Sequence, residues 1–158
     1  MDSKHPLPHA SIGRLMGLLE TMRETPGSDD VARLAQALHL ELDDLIPLVN
    51  AAELLGLATV DDGEYDLTGE GTRIAEAEEK ERKAIFRRAA AQLPFLRTIM
   101  DMLDESSDGQ VPREDVTARI PKRFSRKSAE RQVDTAVEWG RYAELFDYDA
   151  EARHFVKV

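Results

Sequence analysis

Cysteine is absent from the 158-residue chain, and its absence excludes several kinds of chemistry. Without thiols the chain has no disulfides, no thiolate nucleophile and no cysteine-ligated zinc or iron–sulfur centre. A cysteine-free sequence also agrees with a reducing compartment.

Long apolar runs are missing as well. No uninterrupted hydrophobic stretch approaches the roughly 20 residues that a membrane-spanning helix requires, and charged residues make up 33% of the chain. Residues 1–8 have neither a basic start nor an apolar stretch, so they do not resemble a secretory signal. We therefore predict a cytoplasmic protein without membrane insertion.

Residue types that build metal sites and active sites are few and scattered. The histidines lie far apart in the sequence, at His5, His9, His39 and His154. They form no pair at metal-ligand spacing. The carboxylate pairs Asp43/Asp44 and Asp61/Asp62 fall at a predicted helix start and a predicted hairpin turn, where acidic residues have structural roles. We predict no metal site and no catalytic residue.

A phosphate-binding loop is also missing. No glycine-rich segment ends in Gly-Lys-Ser or Gly-Lys-Thr, and Thr68-Gly69-Glu70-Gly71 places an acid where phosphate would be repelled. We predict no cofactor and no enzymatic activity. An enzyme with a noncontiguous site is a third choice, since it would need a closed apolar pocket with converging titratable groups.

Negative charge is abundant but unevenly distributed. The net charge is −10 overall; residues 1–78 hold 5 Lys and Arg against 16 Asp and Glu, whereas residues 79–158 hold 16 against 15. Affinity for a DNA duplex comes largely from lysine and arginine, which displace counterions from phosphates. Only the second half could therefore bind nucleic acid.

Apolar spacing in the first half predicts three helices and a hairpin. The first helix covers about 10–24, and Ser28 is predicted to cap a short second helix that ends near His39. The third follows Glu41, contains Pro47 in or near its first turn, and closes at Gly56. Strands at 57–60 and 64–67 complete a winged-helix-like module over 9–68.

The second half repeats this order. Thr68 can cap one long connecting helix over 69–93, supported by the pairs Glu76/Lys80, Glu78/Arg82 and Glu79/Lys83. A second winged-helix-like module is predicted over 94–158. It comprises a helix after Pro94, a short helix from Pro112 to about Ile120, a helix capped by Ser125 and closed at Gly140, and strands at 142–148 and 153–158.

The predicted fold is therefore mainly α with small β-hairpins, as two tandem winged-helix-like modules joined by a long central helix. A shift of 84 positions sets Val49 on Val133 and Gly56 on Gly140, which suggests a duplication. The aromatic segment 139–146 is predicted to be a core corner. The apolar stripe over 85–103 makes a homodimer a further prediction.

A basic stretch is the most informative charge feature. It consists of Lys122, Arg123, Arg126, Lys127 and Arg131. These residues surround the start of the helix that would occupy the recognition position of the second winged helix. Contact with DNA, a phospholipid headgroup or an acidic protein is one interpretation. A solvated helix start that balances nearby acids is the other.

Several segments together resemble the AAA-associated C-terminal domain. They are Leu7-Pro8-His9-Ala10 with Ile12-Gly13, Asp43 to Pro47, Ala52 to Gly56, Leu67-Thr68 with Gly71, Glu81-Arg82-Lys83 with Phe86, and Glu138 to Tyr148. In that family the domain usually follows the nucleotide-binding subunit of ABC importers of the nitrate, sulfonate and bicarbonate type. The similarity spans about residues 5–156.

This resemblance implies an accessory or regulatory module that acts by protein–protein interaction on an ABC importer's ATP-binding subunit. It implies a cytoplasmic protein, held at the inner membrane through a transporter, with no catalytic residues to carry over. The second choice is a transcription regulator that places Arg126, Lys127 and Arg131 near DNA.

Overall fold

The structure is a computed structural model that describes residues 7–24 and 30–158. The predictions made for His5, the first six residues, Ser28 and Asp29 fall outside these ranges. The described chain is mainly helical with small antiparallel strand pairs, which confirms the predicted fold class. The winged-helix assignment of each module stays a prediction.

Eight helices and five strands are found in the described residues. The helices are α1 Ile12–Glu24, α2 Val31–Leu38, α3 Leu42–Leu54, α4 Gly69–Glu76, α5 Glu79–Ala90, α6 Pro94–Glu105, α7 Arg113–Thr117 and α8 Arg126–Tyr142. The strands are β1 Ala58–Asp61, β2 Glu64–Leu67, β3 Gln110–Pro112, β4 Asp147–Asp149 and β5 His154–Val156.

The chain divides into two compact units. The first unit covers Pro8–Phe86, and the second unit covers Arg87–Val158 and takes in Leu7. The finer division into 9–68, 69–93 and 94–158 stays a prediction.

The first unit builds its core around α1, which packs against α2, α3 and α4. Leu15, Leu19, Leu45 and Ile74 are fully buried in it. The predicted hairpin is confirmed: β1 pairs with β2 in antiparallel register from Ala58↔Leu67 to Asp61↔Glu64. Asp62 and Gly63 have φ angles of 52° and 78°, as a two-residue turn between right-twisted strands requires.

Two helix-boundary predictions in the first unit need correction. The N-cap of α2 is Asp30, whose carboxylate accepts a hydrogen bond from the Arg33 amide at 2.8 Å, whereas the sequence predicted the cap two residues earlier. Pro47 is the sixth residue of α3, in its second turn. There it has no amide to donate to the Asp43 carbonyl, so α3 tolerates the loss of one internal hydrogen bond.

The predicted long helix over 69–93 is wrong, because it is two helices. Ala77 is extended, with φ −75° and ψ 151°, and this ends α4 before α5 begins. Arg82 donates to the terminal carbonyls of Ile74 and Ala75 at 3.2 and 3.4 Å, and it lies 3.5 Å from Glu20. Glu76 in turn pairs with Arg23 at 3.3 Å. The predicted pair Glu76/Lys80 spans this break. Glu78 and Arg82 both lie beyond it, where the Arg82 amide donates to the Glu78 carbonyl at 2.8 Å and keeps them one helical turn apart.

The second unit contains a three-stranded antiparallel sheet in the order β3-β5-β4. Its predicted hairpin is confirmed in shorter form as β4 and β5, and β3 is an additional strand that the sequence did not reveal. Trp139, Phe146 and Phe155 are fully buried, with the two phenylalanine rings edge-to-face at 5.4 Å. The predicted core corner is confirmed at Trp139 and Phe146.

The end of α8 corrects the prediction that Gly140 closes this helix. α8 continues to Tyr142, and Gly140 is a buried residue within it. A Cβ at Gly140 would overlap the Phe146 ring, so glycine is required here for close packing. The helix ends instead through Glu144, whose φ of 58° is left-handed.

Both α3 and α8 end in the same hydrogen-bond motif. After α3, the Leu57 amide donates to Ala52 at 2.8 Å and the Gly56 amide to Glu53 at 3.0 Å. After α8, the Leu145 amide donates to Gly140 at 2.9 Å and the Glu144 amide to Arg141 at 3.1 Å. These are Schellman motifs. Gly56 therefore corresponds to Glu144, an offset of 88, and the predicted offset of 84 is wrong at this junction.

Candidate functional site

The five predicted basic residues lie at the start of α8 and in the segment before it. We refer to Lys122, Arg123, Arg126, Lys127 and Arg131 as the basic surface, since every one of them is exposed. The segment is held by a hydrogen bond from the Phe124 amide to the Pro121 carbonyl at 3.1 Å. Ser125 is the N-cap of α8, as predicted, and its hydroxyl accepts from the Ser128 amide at 3.0 Å.

The basic surface is not neutralised by neighbouring acids. Within the described part of the chain, none of its five residues forms an ion pair. The sequence analysis missed Arg119, which is also exposed and adds a sixth cation to the 119–131 segment. Glu130 is the one acidic residue in that segment. The result is a local positive field on a chain of net charge −10.

Glu130 is held by a buried arginine that the sequence analysis also missed. Arg113, only 6% exposed, begins α7 and points its guanidinium at α8. It lies 2.8 Å from the carboxylates of Glu130 and Asp134, donates to the Glu130 carbonyl at 3.2 Å, and sits 5.9 Å from the Tyr148 ring centroid. Neither a sequence motif nor the spacing of apolar residues indicated a role for Arg113.

The charge of Arg113 is stabilised in place. Burial disfavours its charged form, but hydrogen bonds to Tyr148, Asp134 and Glu130 outweigh that effect and raise the pKa of Arg113. The arginine is therefore a permanent cation that links α7 to α8 and engages two carboxylates beside the basic surface.

Arg123 is restrained by stacking. Its guanidinium carbon lies 4.2 Å from the centroid of the Phe124 ring. The edges of a guanidinium carry the paired N–H groups that bind carboxylate or phosphate with two hydrogen bonds, and a cation–π contact through its face leaves those groups available. Within the described residues, Arg123 is the member of the basic surface that makes a contact with an aromatic ring.

The other candidate groups do not converge. His9 and His39 are exposed, and His154 Nδ1 lies 3.2 Å from Gln110 Oε1. No group of three or more potential metal ligands occurs in residues 7–24 and 30–158. Asp43 and Asp44 are exposed in the first turn of α3, and Asp61 and Asp62 are exposed at the β1–β2 turn.

An open depression lies where α4 meets α5 in the first unit. Its lining consists of charged and small residues: Glu76, Ala77, Glu78, Lys80, Glu81 and Ala84.

In the described ranges, none of the helices has the length and apolar character to cross a bilayer.

Taken together, the geometry defines a small, mainly helical domain with an exposed basic surface on its second unit. The sequence model of the C-terminal AAA-associated domain matches residues 32–149, about three quarters of the chain. The chain therefore belongs to the C-terminal AAA-associated domain family, and it is an accessory domain associated with AAA and ABC ATPases. Neither the comparison with curated proteins nor the comparison with solved structures gives a match.

Proposed function

We propose that this chain is a non-catalytic regulatory module that binds the ATP-binding subunit of an ABC importer and modulates transport. The observation that carries the proposal is membership of the C-terminal AAA-associated domain family over residues 32–149. A domain that accompanies an ATPase acts most directly by contact with it. On this proposal the protein is cytoplasmic and reaches the inner membrane only through the transporter.

The basic surface supports the proposal as a contact region. Its five cations are exposed and free of ion pairs within the described residues, so a partner's carboxylates can meet them without first breaking internal bonds. Complementary charge mainly accelerates association and suppresses wrong partners.

The test is the ATPase rate and complex mass of the cognate ATP-binding subunit, measured with and without this chain. We expect a stable complex and a changed rate of ATP hydrolysis. The variant Arg126→Glu/Lys127→Glu should weaken the complex, whereas Lys80→Glu/Arg97→Glu makes the same change in net charge at exposed positions elsewhere and should not. The same mass measurement reads whether the chain forms a homodimer. A chain that neither binds the subunit nor changes its rate refutes the proposal.

A DNA-binding transcription regulator is the second candidate, and the exposure of Arg126, Lys127 and Arg131 around the start of α8 favours it. Binding of a duplex through phosphate contacts should fall steeply with salt, and charge reversal at Arg126 should reduce the salt dependence. A gel shift that stays blank at low salt removes this candidate.

A further inference from the structure

The residues that follow the basic surface are acidic. Beyond Arg131, α8 exposes Glu138 and Arg141, and it exposes Asp134, whose carboxylate is bound by Arg113 at 2.8 Å. The hairpin that follows α8 exposes Asp147, Asp149 and Glu151. A duplex lying along α8 and the hairpin would bring its phosphates against these carboxylates, which opposes binding. The cations exposed beyond Arg131 are Arg141, Arg153 and Lys157, and two of them are already paired, Arg141 with Asp147 and Lys157 with Asp104. Among the described residues of α8 and the hairpin, cations without an ion pair are therefore concentrated around the start of α8.

The size of this region fits a short polypeptide segment. Lys127 and Arg131 lie four residues apart, so their side chains project from the same face of α8, roughly 6 Å apart at Cβ. Carboxylates spaced by one helical turn in a partner would match them. Glu130, the acidic residue between them in the sequence, has one carboxylate oxygen bound by Arg113 at 2.8 Å.

Arg123 adds geometric selectivity to this charge. Its guanidinium is stacked on Phe124 at 4.2 Å, so less side-chain freedom is lost when its N–H pair binds a planar carboxylate. A lysine at this position would keep the charge but could not form the paired hydrogen bonds.

We infer that the basic surface is a docking site for an acidic polypeptide segment, with Arg123 as its bidentate anchor. The inference rests on the proposed function, because it names the surface through which that protein–protein interaction runs. It goes further by stating the partner's chemistry: carboxylates about one helical turn apart, not a nucleic acid.

The first experiment uses the full chain and a labelled helical peptide with glutamates four residues apart, with the matching glutamine peptide as control. By fluorescence anisotropy, the glutamine peptide should bind about tenfold more weakly. Arg126→Glu/Lys127→Glu should weaken binding of the glutamate peptide by about 30-fold and Arg123→Lys by about fivefold. Lys80→Glu/Arg97→Glu should change it less than about twofold.

The second experiment measures a short DNA duplex at the same ionic strength. Tighter binding of the duplex than of the glutamate peptide, with Arg123→Lys indistinguishable from the parent chain, overturns the inference. Equal binding of the glutamate and glutamine peptides does so as well. Circular dichroism of each variant verifies that the fold is retained.

The cognate ATP-binding subunit separates the two proposals. A complex that survives Arg126→Glu/Lys127→Glu refutes the docking site and leaves the proposed function intact. Glutamate-peptide binding that depends on Arg123, without any complex with the subunit, supports the docking chemistry and refutes the proposed function.

Discussion

The helices α3 and α8 occupy the same position in their units and end in the same way, yet their starts are opposite in charge. Each precedes a hairpin and terminates in a Schellman motif. The first turn of α3 holds Asp43 and Asp44, whereas that of α8 holds Arg126 and Lys127. Backbone geometry is thus shared at the buried junctions, and the exposed helix starts are where the two units differ.

In each unit, the segment that follows α3 or α8 packs closely against a glycine, but the atoms in contact differ. In the first unit a Cβ at Gly71 would overlap the backbone carbonyl of Leu57, and in the second a Cβ at Gly140 would overlap the Phe146 ring. The Phe146 ring can move through small changes in its side-chain torsions. Moving the Leu57 carbonyl would break the hydrogen bond that it accepts from the Thr68 amide at 3.1 Å. The first junction is therefore expected to be the less tolerant.

The largest expected effect comes from Gly71→Ala. It should lower the free energy of unfolding by about 3 kcal/mol, because the added methyl group displaces the Leu57 backbone from α4. Urea unfolding followed by far-UV circular dichroism measures this loss. Gly69→Ala is the matched control in the same helix, since a Cβ there meets no atom within 4 Å. Identical unfolding of the two variants would contradict the packing argument.

The cores of the two units also differ, and Arg113 tests that difference. Among the described residues, the buried polar or charged side chains Arg113, Gln132 and Thr135 all belong to the second unit. Arg113→Met should cost about 2 kcal/mol, because it removes charge-assisted hydrogen bonds to Glu130 and Asp134.

The fluorescence of Trp139, the single tryptophan, reports unfolding of the second unit and measures the loss in free energy of unfolding caused by Arg113→Met. Arg141→Met is the control, since it removes an exposed ion pair with Asp147 at 3.1 Å and should cost less than about 1 kcal/mol. A loss no greater for Arg113→Met than for Arg141→Met would show that the buried network adds nothing to stability.

The third prediction compares the N-caps. Ser125→Ala should destabilise the second unit by about 1 kcal/mol, because the Ser128 amide loses its acceptor. Glu41 occupies the N-cap of α3 but makes no side-chain cap bond in the described structure. Glu41→Ala should therefore change stability by less than about 0.5 kcal/mol. Equal effects of the two substitutions in urea unfolding would count against this difference.

The smallest expected effect is that of Glu144→Gly, at the left-handed residue that follows α8. Gly56 has φ 73° and Glu144 has φ 58°, and glutamate adopts this conformation at a cost that glycine avoids. Glu144→Gly should raise the free energy of unfolding of the second unit by about 0.5 kcal/mol, seen as a higher urea midpoint of Trp139 fluorescence. Gly56→Ala should lower the free energy of unfolding of the first unit by about 1 kcal/mol. Destabilisation by Glu144→Gly would mean that its side chain has a role beyond the turn.

Much of the fold could be predicted because its signals are local. The periodic apolar positions of α1, the Asp62-Gly63 turn and the caps Thr68 and Ser125 each depend on a few neighbouring residues. β3 could not be predicted in this way, since its three residues become a strand only by pairing with β5, more than 40 positions away.

The offset between the units shows the same limit. An error of four residues along a helix is close to one turn of 3.6 residues, so it keeps the same face buried and leaves the apolar pattern intact. The glycines Gly56 and Gly140 then align although they have different roles. Only the hydrogen bonds of the two helix ends distinguish the correct register.

The candidate site was predictable in composition but not in arrangement. The five cations are visible as a cluster in the sequence, and the structure places them in one exposed region. The Arg123–Phe124 stack and the Arg113 network depend on side-chain placement, and a lone arginine after Pro112 gives no sequence signal.

The order β3-β5-β4 has a consequence for how the protein is made. β5 is synthesised after both of its partners, and it carries Phe155, which packs on Phe146 and Tyr148. Until that strand has been translated, β3 and β4 lack the central strand with which both of them pair. The β1–β2 hairpin of the first unit, by contrast, can close as soon as its own turn has emerged. A nascent chain stalled before His154 should therefore expose the apolar face of its second unit to chaperones.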